Sequence, residues 1–176
     1  MNKLTVGLFI VYLALLFWVL VLKLGYADTS GPSMRTMNLV PYSQPTILNG
    51  EVDYGEMILN ALIFIPLGIY TGTLFKNWHA VKQVSFFFLV SLFIEGIQFV
   101  LAIGAFDITD IINNTIGGIT GLLIYHGVKQ IFKTSLKTQR FINIFSLVAT
   151  SLILLLLLIL KLNHLWVFRM DTIPQQ

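Results

Sequence analysis

Five stretches of this chain leave their backbone very little choice: Thr5–Leu24, Met57–Phe75, Val84–Ile103, Ile108–Val128 and Phe141–Leu160 are each almost continuously apolar. Crossing about 30 Å of hydrocarbon at about 1.5 Å per residue takes roughly 20 residues, and each run has that length or comes close. Lipid offers no partner to a bare N–H or C=O, so such a run must satisfy its backbone internally and become a helix. The segments between the runs are too short for a soluble domain. An all-α integral membrane protein with five transmembrane helices is therefore expected. Composition agrees, with 56% hydrophobic and 11% charged residues, against about 25% charged in soluble domains.

Three regions follow from the spacing of the runs: residues 1–37 with the first helix and part of an outer loop, 38–128 with three helices, and 129–176 with a basic loop, the fifth helix and a short tail. The first run could be a signal peptide, because Lys3 precedes it and Gly25-Tyr26-Ala27 offers small residues for cleavage. Thr5 to Leu22 carries no charge, however, and exceeds the roughly 7 to 15 residues of a signal core. A retained helix is the expectation.

Lysine and arginine near helix ends set orientation. Lys3, Lys76, Lys82, Lys129, Lys133, Lys137 and Arg140 fall on one side, and Lys23, Arg35, Lys161 and Arg169 on the other. The majority side predicts a cytoplasmic N-terminus and an external C-terminus. Asp28, Glu51, Asp53, Glu56, Asp107 and Asp171 all lie on the predicted outer side. The pI near 9.2 then reflects basic residues facing anionic lipid, and no basic domain exists for nucleic acid.

Several chemistries are excluded. There is no cysteine, hence no disulfide, thiolate metal site or cysteine nucleophile. No phosphate-binding glycine loop, nucleophile elbow, zinc helix motif or dinucleotide fingerprint occurs. His79, His126 and His164 belong at helix ends or beyond them, away from the polar residues of interest.

Those polar residues lie inside the apolar runs. Glu95 stands in the third, where a carboxylate costs roughly 2.5 to 3.5 kcal/mol at a helix centre and marks a functional site by default. Ser91, Glu95, Gln98 and Ala102 fall at helical spacing on one stripe. After a turn at Gly104-Ala105, Asp107, Asp110, Asn113 and Asn114 follow, with Gly117, Gly118 and Gly121 one and two turns on. Asn60 lies one turn into the second run, ahead of Pro66, Gly68 and Gly72. The proline predicts a kink, and the glycines predict close helix packing. Counting residues from the turn brings Asn60, Glu95, Gln98, Asp110, Asn113 and Asn114 to similar depths in the outer half of the bilayer, so a three-helix polar pocket opening outward is expected, with Asp107 at its rim.

The chemistry of that pocket stays open at this level. Glu95 could be a neutral carboxyl donating to Gln98 or an asparagine, a cation ligand, or a hydrogen-bonding link between helices. An all-oxygen set suits Mg²⁺ or Ca²⁺ better than zinc, but no dense carboxylate spacing marks a metal loop. No metal or cofactor is assigned, and no residue is named as catalytic.

Four ordered motifs carry a family resemblance. Asn38-Leu39-Val40-Pro41-Tyr42 resembles "NLIPF", and Asn60 through Phe64, Pro66, Leu67 and Gly68 resembles "NxxxFxPLG". Glu95 and Gln98 match "ExxQ", and Phe106-Asp107, Asp110, Asn114 and Gly117 fall in "FDxxDxxxNxxG". Over about Asn38 to Val128 the chain is thus similar to VanZ-like proteins of bacterial membranes, which makes 38–128 a VanZ-like core. Ala105 stands where many members carry an arginine. The resemblance implies a cell-envelope function and lowered susceptibility to glycopeptides such as teicoplanin, with membrane lipids and lipid-linked cell-wall precursors as candidate partners. An enzyme or carrier acting on a lipid head group, or a structural membrane partner, are the competing readings.

Overall fold

A computed structural model describes residues 2–22, 36–43, 47–48, 51–52, 54–102 and 105–162. Among these described residues the fold is predominantly helical: α1 (Lys3–Leu22), α2 (Gly55–Leu74), α3 (Ala80–Leu101), α4 (Ile108–Phe132) and α5 (Ser135–Leu162). Four two-residue strands accompany them: β1 (Met37–Asn38), β2 (Ile47–Leu48), β3 (Glu51–Val52) and β4 (Phe106–Asp107). Gly104, the outer-side residues Lys23, Asp28, Arg35, Asp53, Arg169 and Asp171, the small residues Gly25 to Ala27, and His164 lie outside the described residues.

Among the described residues three helices are long and apolar enough to cross a membrane: Lys3–Val21, Met57–Leu74 and Ala80–Leu101. α4 has the length, but Asp110, Asn113, Asn114, Thr115 and four glycines dilute its apolar character. The basic stretch after Lys129, read from sequence as a loop, is largely helical. α4 continues to Phe132, Lys133 caps it in the left-handed region at φ 55°, and α5 begins at Ser135. Gly127 is the last glycine before this junction and no proline follows until the tail, so good formers such as Lys, Gln, Leu and Arg keep the stretch helical on both sides of the break at Lys133 and Thr134. The loop before α2 is likewise less irregular than its composition suggests, because β2 and β3 pair antiparallel, Ile47 opposite Val52.

α2 and α4 form the most extensive helix pair. Gly117 of α4 lies against the Ala61 carbonyl, and Gly121 against that of Ile65, so closely that a Cβ at either position would collide with backbone. Gly68 answers from α2 against Gly118 and Leu122. Small residues at such an interface let two backbones approach, which is how helices associate without a hydrophobic driving force. Gly118 turns toward α3 instead, where the ring of Phe87 fills the space. α2 runs through Pro66 as one helix.

α1 is built into this bundle. Leu8, Phe9, Leu16 and Leu20 belong to the same buried cluster as Phe64, Leu67, Phe87 and Tyr125. Polar ties reinforce it: Thr5 Oγ1 donates to Asn143 Oδ1 of α5 at 2.9 Å and accepts from Gln139 Nε2 at 2.9 Å. The Tyr12 hydroxyl donates to the Ile63 carbonyl of α2 at 2.8 Å. Within helices buried away from water, such bonds each contribute about 0.6 kcal/mol and up to about 2.

Candidate functional site

The site is organised by the start of α4. Asp107 caps that helix from extended backbone, its Oδ1 accepting the Thr109 N–H at 2.7 Å. An aspartate here satisfies one of the orphan N–H groups and complements the positive end of the helix dipole. Asp107 does two further things. Its Oδ2 accepts from Asn38 Nδ2 at 3.1 Å, and its backbone N–H donates to Glu95 Oε2 of α3 at 3.2 Å.

Asn38 arrives through a short parallel pairing. β1 lies beside β4, Met37 opposite Phe106 and Asn38 opposite Asp107, and the Phe106 N–H donates to the Thr36 carbonyl at 3.0 Å. The following residues 39–43 fold back as a strap over the first turns of α4. The Tyr42 N–H donates to Thr109 Oγ1 at 3.0 Å, and the Tyr42 hydroxyl to Asn113 Oδ1 at 3.3 Å. Ser43 Oγ closes the loop on Asn38 Oδ1 at 2.9 Å. Tyr42 holds φ 57°, a left-handed conformation that costs a bulky residue about 1 to 3 kcal/mol and persists only where surrounding contacts determine it.

Beneath the strap, α3 and α4 share a polar seam. Glu95 is 2% exposed, Asn114 1% and Asn113 8%. Asn114 Nδ2 donates to Ser91 Oγ at 2.9 Å, one turn from Glu95. Two amide atoms of the seam, Asn113 Nδ2 and Asn114 Oδ1, are buried without a hydrogen-bond partner among the described residues. Each such group costs about 1 to 3 kcal/mol when left unmade, so the seam keeps one unspent donor and one unspent acceptor on successive residues. Asp110, in the first turn of α4, is only partly buried.

Of the residues singled out by sequence, Glu95, Asp107, Asn113 and Asn114 meet here, with Asp110 beside them. Gln98 and Asn60 point elsewhere. Gln98 Nε2 donates to the Leu20 carbonyl of α1 at 3.0 Å, which joins α3 to α1. Asn60 is buried on the wall of an apolar cavity shared with Tyr12, Leu20 and Ile63. The reason is rotational: the Glu95–Gln98 and Asn60–Pro66 spacings fix depth, while the side on which a residue meets a neighbour depends on how the helices pack. Asn38, Tyr42, Ser43 and Thr109 belong to the site without being among the expected pocket residues, and Ser91, expected on the same stripe as Glu95, joins them. The Asn-Leu-Val-Pro-Tyr motif was the available signal for two of them. Among the described residues no group of three His, Asp or Glu side chains stands close enough to hold a metal ion.

Apolar helices long enough to cross a bilayer, packed through glycines and enclosing a buried carboxylate and amides beneath a strap, define a helical membrane protein with an internal polar site. The chain belongs to the VanZ family: the VanZ/LLP1 family profile matches residues 9–133. It is 36% identical over 161 residues to Protein VanZ of Enterococcus faecium, covering 90% of this chain and 92% of that protein. No solved structure matches it.

Proposed function

We propose that this chain is a multi-pass protein of the bacterial cell membrane that lowers susceptibility to glycopeptides of the teicoplanin type through an outward-facing polar site. In this reading all five helices span, the N-terminus is cytoplasmic, the C-terminus is outside, and α1 is retained. The seven basic residues assigned to the cytoplasmic side, against four outside, support the orientation. The contacts of Thr5, Tyr12 and Leu20 support retention of α1.

The observation that carries the reading is the buried Glu95 carboxyl bonded to the cap of α4, next to Asn113 Nδ2 and Asn114 Oδ1, which have no partner among the described residues. A purely structural bond to the Asp107 N–H is available to Gln or Ser at much lower desolvation cost. The site offers hydrogen-bonding groups suited to the polar head of a lipid-linked cell-wall precursor, with the strap as its outer wall. The test is Glu95→Gln in cells that depend on this chain for teicoplanin tolerance. Loss of tolerance with wild-type protein levels in the membrane is expected, and full tolerance in that variant would overturn the site.

A second reading keeps Glu95 and Asp110, the latter in the first turn of the helix whose cap Glu95 holds, as acid/base groups or cation ligands: an enzyme or carrier acting on a lipid head group. Purified protein given lipid-linked precursor and Mg²⁺ separates the two readings. Turnover supports the second, and saturable binding without turnover supports the first.

A further inference from the structure

A second feature of the bundle takes no part in that site. Between α1, α2, α4 and α5 lies a cavity of about 570 Å³, within the range that accommodates a drug-sized molecule. Leu16 and Val19 of α1, Ile63 and Pro66 of α2, and Phe145 and Ala149 of α5 form its walls. α1 and α2 are two of the three candidate membrane spans, so the cavity lies at the depth of the hydrocarbon. Polar cross-links hold its walls in place. Thr5 ties α1 to α5 through Asn143 and Gln139, Tyr12 ties α1 to the Ile63 carbonyl, and the Tyr70 hydroxyl bonds Ser146 between α2 and α5.

Those ties decide the chemistry of an occupant. The wall is overwhelmingly apolar: of its three tyrosines, Tyr12 and Tyr70 have their hydroxyls engaged, and Tyr125, Ser146, Thr150 and Asn60 are its other polar side chains, whereas each ordered water needs two to four polar partners. Its one amide is Asn60, buried at the end nearest the start of α2. An apolar volume with one amide at one end fits a chain whose first atoms are polar and whose remainder is hydrocarbon.

We propose that the cavity binds one acyl chain of a bilayer phospholipid, with its ester region at Asn60 and its methylenes between α1, α2 and α5. Exclusion of that chain would leave apolar side chains without contacts on one side, which loses dispersion energy outright. The lipid is thereby part of the packed bundle, held more firmly than the annular lipids around it. This rests on the membrane placement proposed above and is independent of the resistance phenotype.

The experiment reconstitutes the full chain in vesicles of phosphatidylethanolamine and phosphatidylglycerol, extracts it into mild detergent, washes it and weighs the retained lipid by native mass spectrometry. One phospholipid per chain is expected. Ala149→Phe and Val19→Phe, which fill the cavity from opposite walls, lower retention about tenfold, equivalent to about 1.4 kcal/mol. Leu123→Phe, at an exposed position of α4, leaves it unchanged. In a measurement that needs no substitution, phosphatidylglycerol with a photoreactive acyl chain labels the peptide containing Leu16 after washing. Equal retention in two folded cavity-filling variants overturns the proposal, as does an unlabelled Leu16 peptide, or a polyprenyl phosphate or second copy of the chain in place of the phospholipid. A chain that never inserts into the vesicles overturns the membrane placement as well, whereas an inserted chain that retains no phospholipid overturns this inference alone.

Discussion

Glu95 Oε2 accepts the backbone N–H of Asp107 at 3.2 Å, so the buried carboxylate of α3 holds the residue that caps α4. Asp107 in turn holds Asn38 and the strap. One carboxyl side chain thus links three separated parts of the chain, and its replacement separates the hydrogen bond from the carboxyl group itself. Glu95→Gln keeps an acceptor for the Asp107 N–H and changes stability by less than about 1 kcal/mol, whereas Glu95→Ala leaves that N–H unmade and costs about 1 to 3 kcal/mol. Thermal unfolding of both variants in the same detergent checks this, and an alanine variant as stable as wild type would contradict it.

The two roles of Asp107 can be told apart by side-chain length. Asp107→Ser still caps α4 but is too short to reach Asn38, so the helix persists while the strap is released. Asp107→Ala removes the cap as well, at a further cost of about 0.5 to 2 kcal/mol. Hydrogen exchange reads both effects: faster exchange at residues 36–43 in both variants, and at residues 108–111 only in the alanine variant.

Glycine positions on α4 differ sharply in what surrounds them. A Cβ at Gly121 would meet the Ile65 carbonyl, while one at Gly127 would meet nothing within 4 Å. Gly121→Ala therefore overpacks the α2–α4 interface and destabilises by about 1 to 3 kcal/mol. Gly127→Ala is neutral or stabilises by up to about 1 kcal/mol through helix propensity. Unfolding in graded denaturing detergent distinguishes them, and similar midpoints would mean that the helices do not approach this closely.

Thr5 is fully buried and bonded to two residues of α5. Thr5→Val keeps the shape and removes both bonds, so it should cost about 0.6 to 2 kcal/mol. A double-mutant cycle with Asn143→Leu should return a coupling of similar size. Zero coupling would show that α1 and α5 are held by apolar contact alone.

Much of the helical frame was legible in the sequence because its cause is local. Runs such as Met57–Phe75 and Val84–Ile103 predict helices within a few residues of α2 and α3, since apolar length and the absence of breakers act on each segment separately. Gly68 of α2 and Gly117 and Gly121 of α4, expected at close helix contacts, lie against facing backbone, and the i, i+4 spacing of the last two puts both on one face of α4. The junction of α4 and α5 was misread because basic residues suit a helix end and a loop equally well.

The candidate site was only partly legible. Its ingredients were visible, because a glutamate and two asparagines in apolar runs stand out by cost alone. Their grouping was not. Equal depth suggested that Asn60 and Gln98 join Glu95, yet Gln98 binds the α1 backbone and Asn60 lines the apolar cavity.

The sequence by itself determined that this is a helical membrane protein with a costly buried carboxylate, because hydrophobic length and desolvation act residue by residue. Only the tertiary structure decided which polar groups meet: Asn38 and Tyr42 over the start of α4, Glu95 on the Asp107 N–H, Asn114 on Ser91. The physical reason is that a helix rotates about its axis at no cost to its own backbone bonds. The face it presents is set by packing, here by the glycine contacts of α2 with α4 and the Phe87 ring against Gly118.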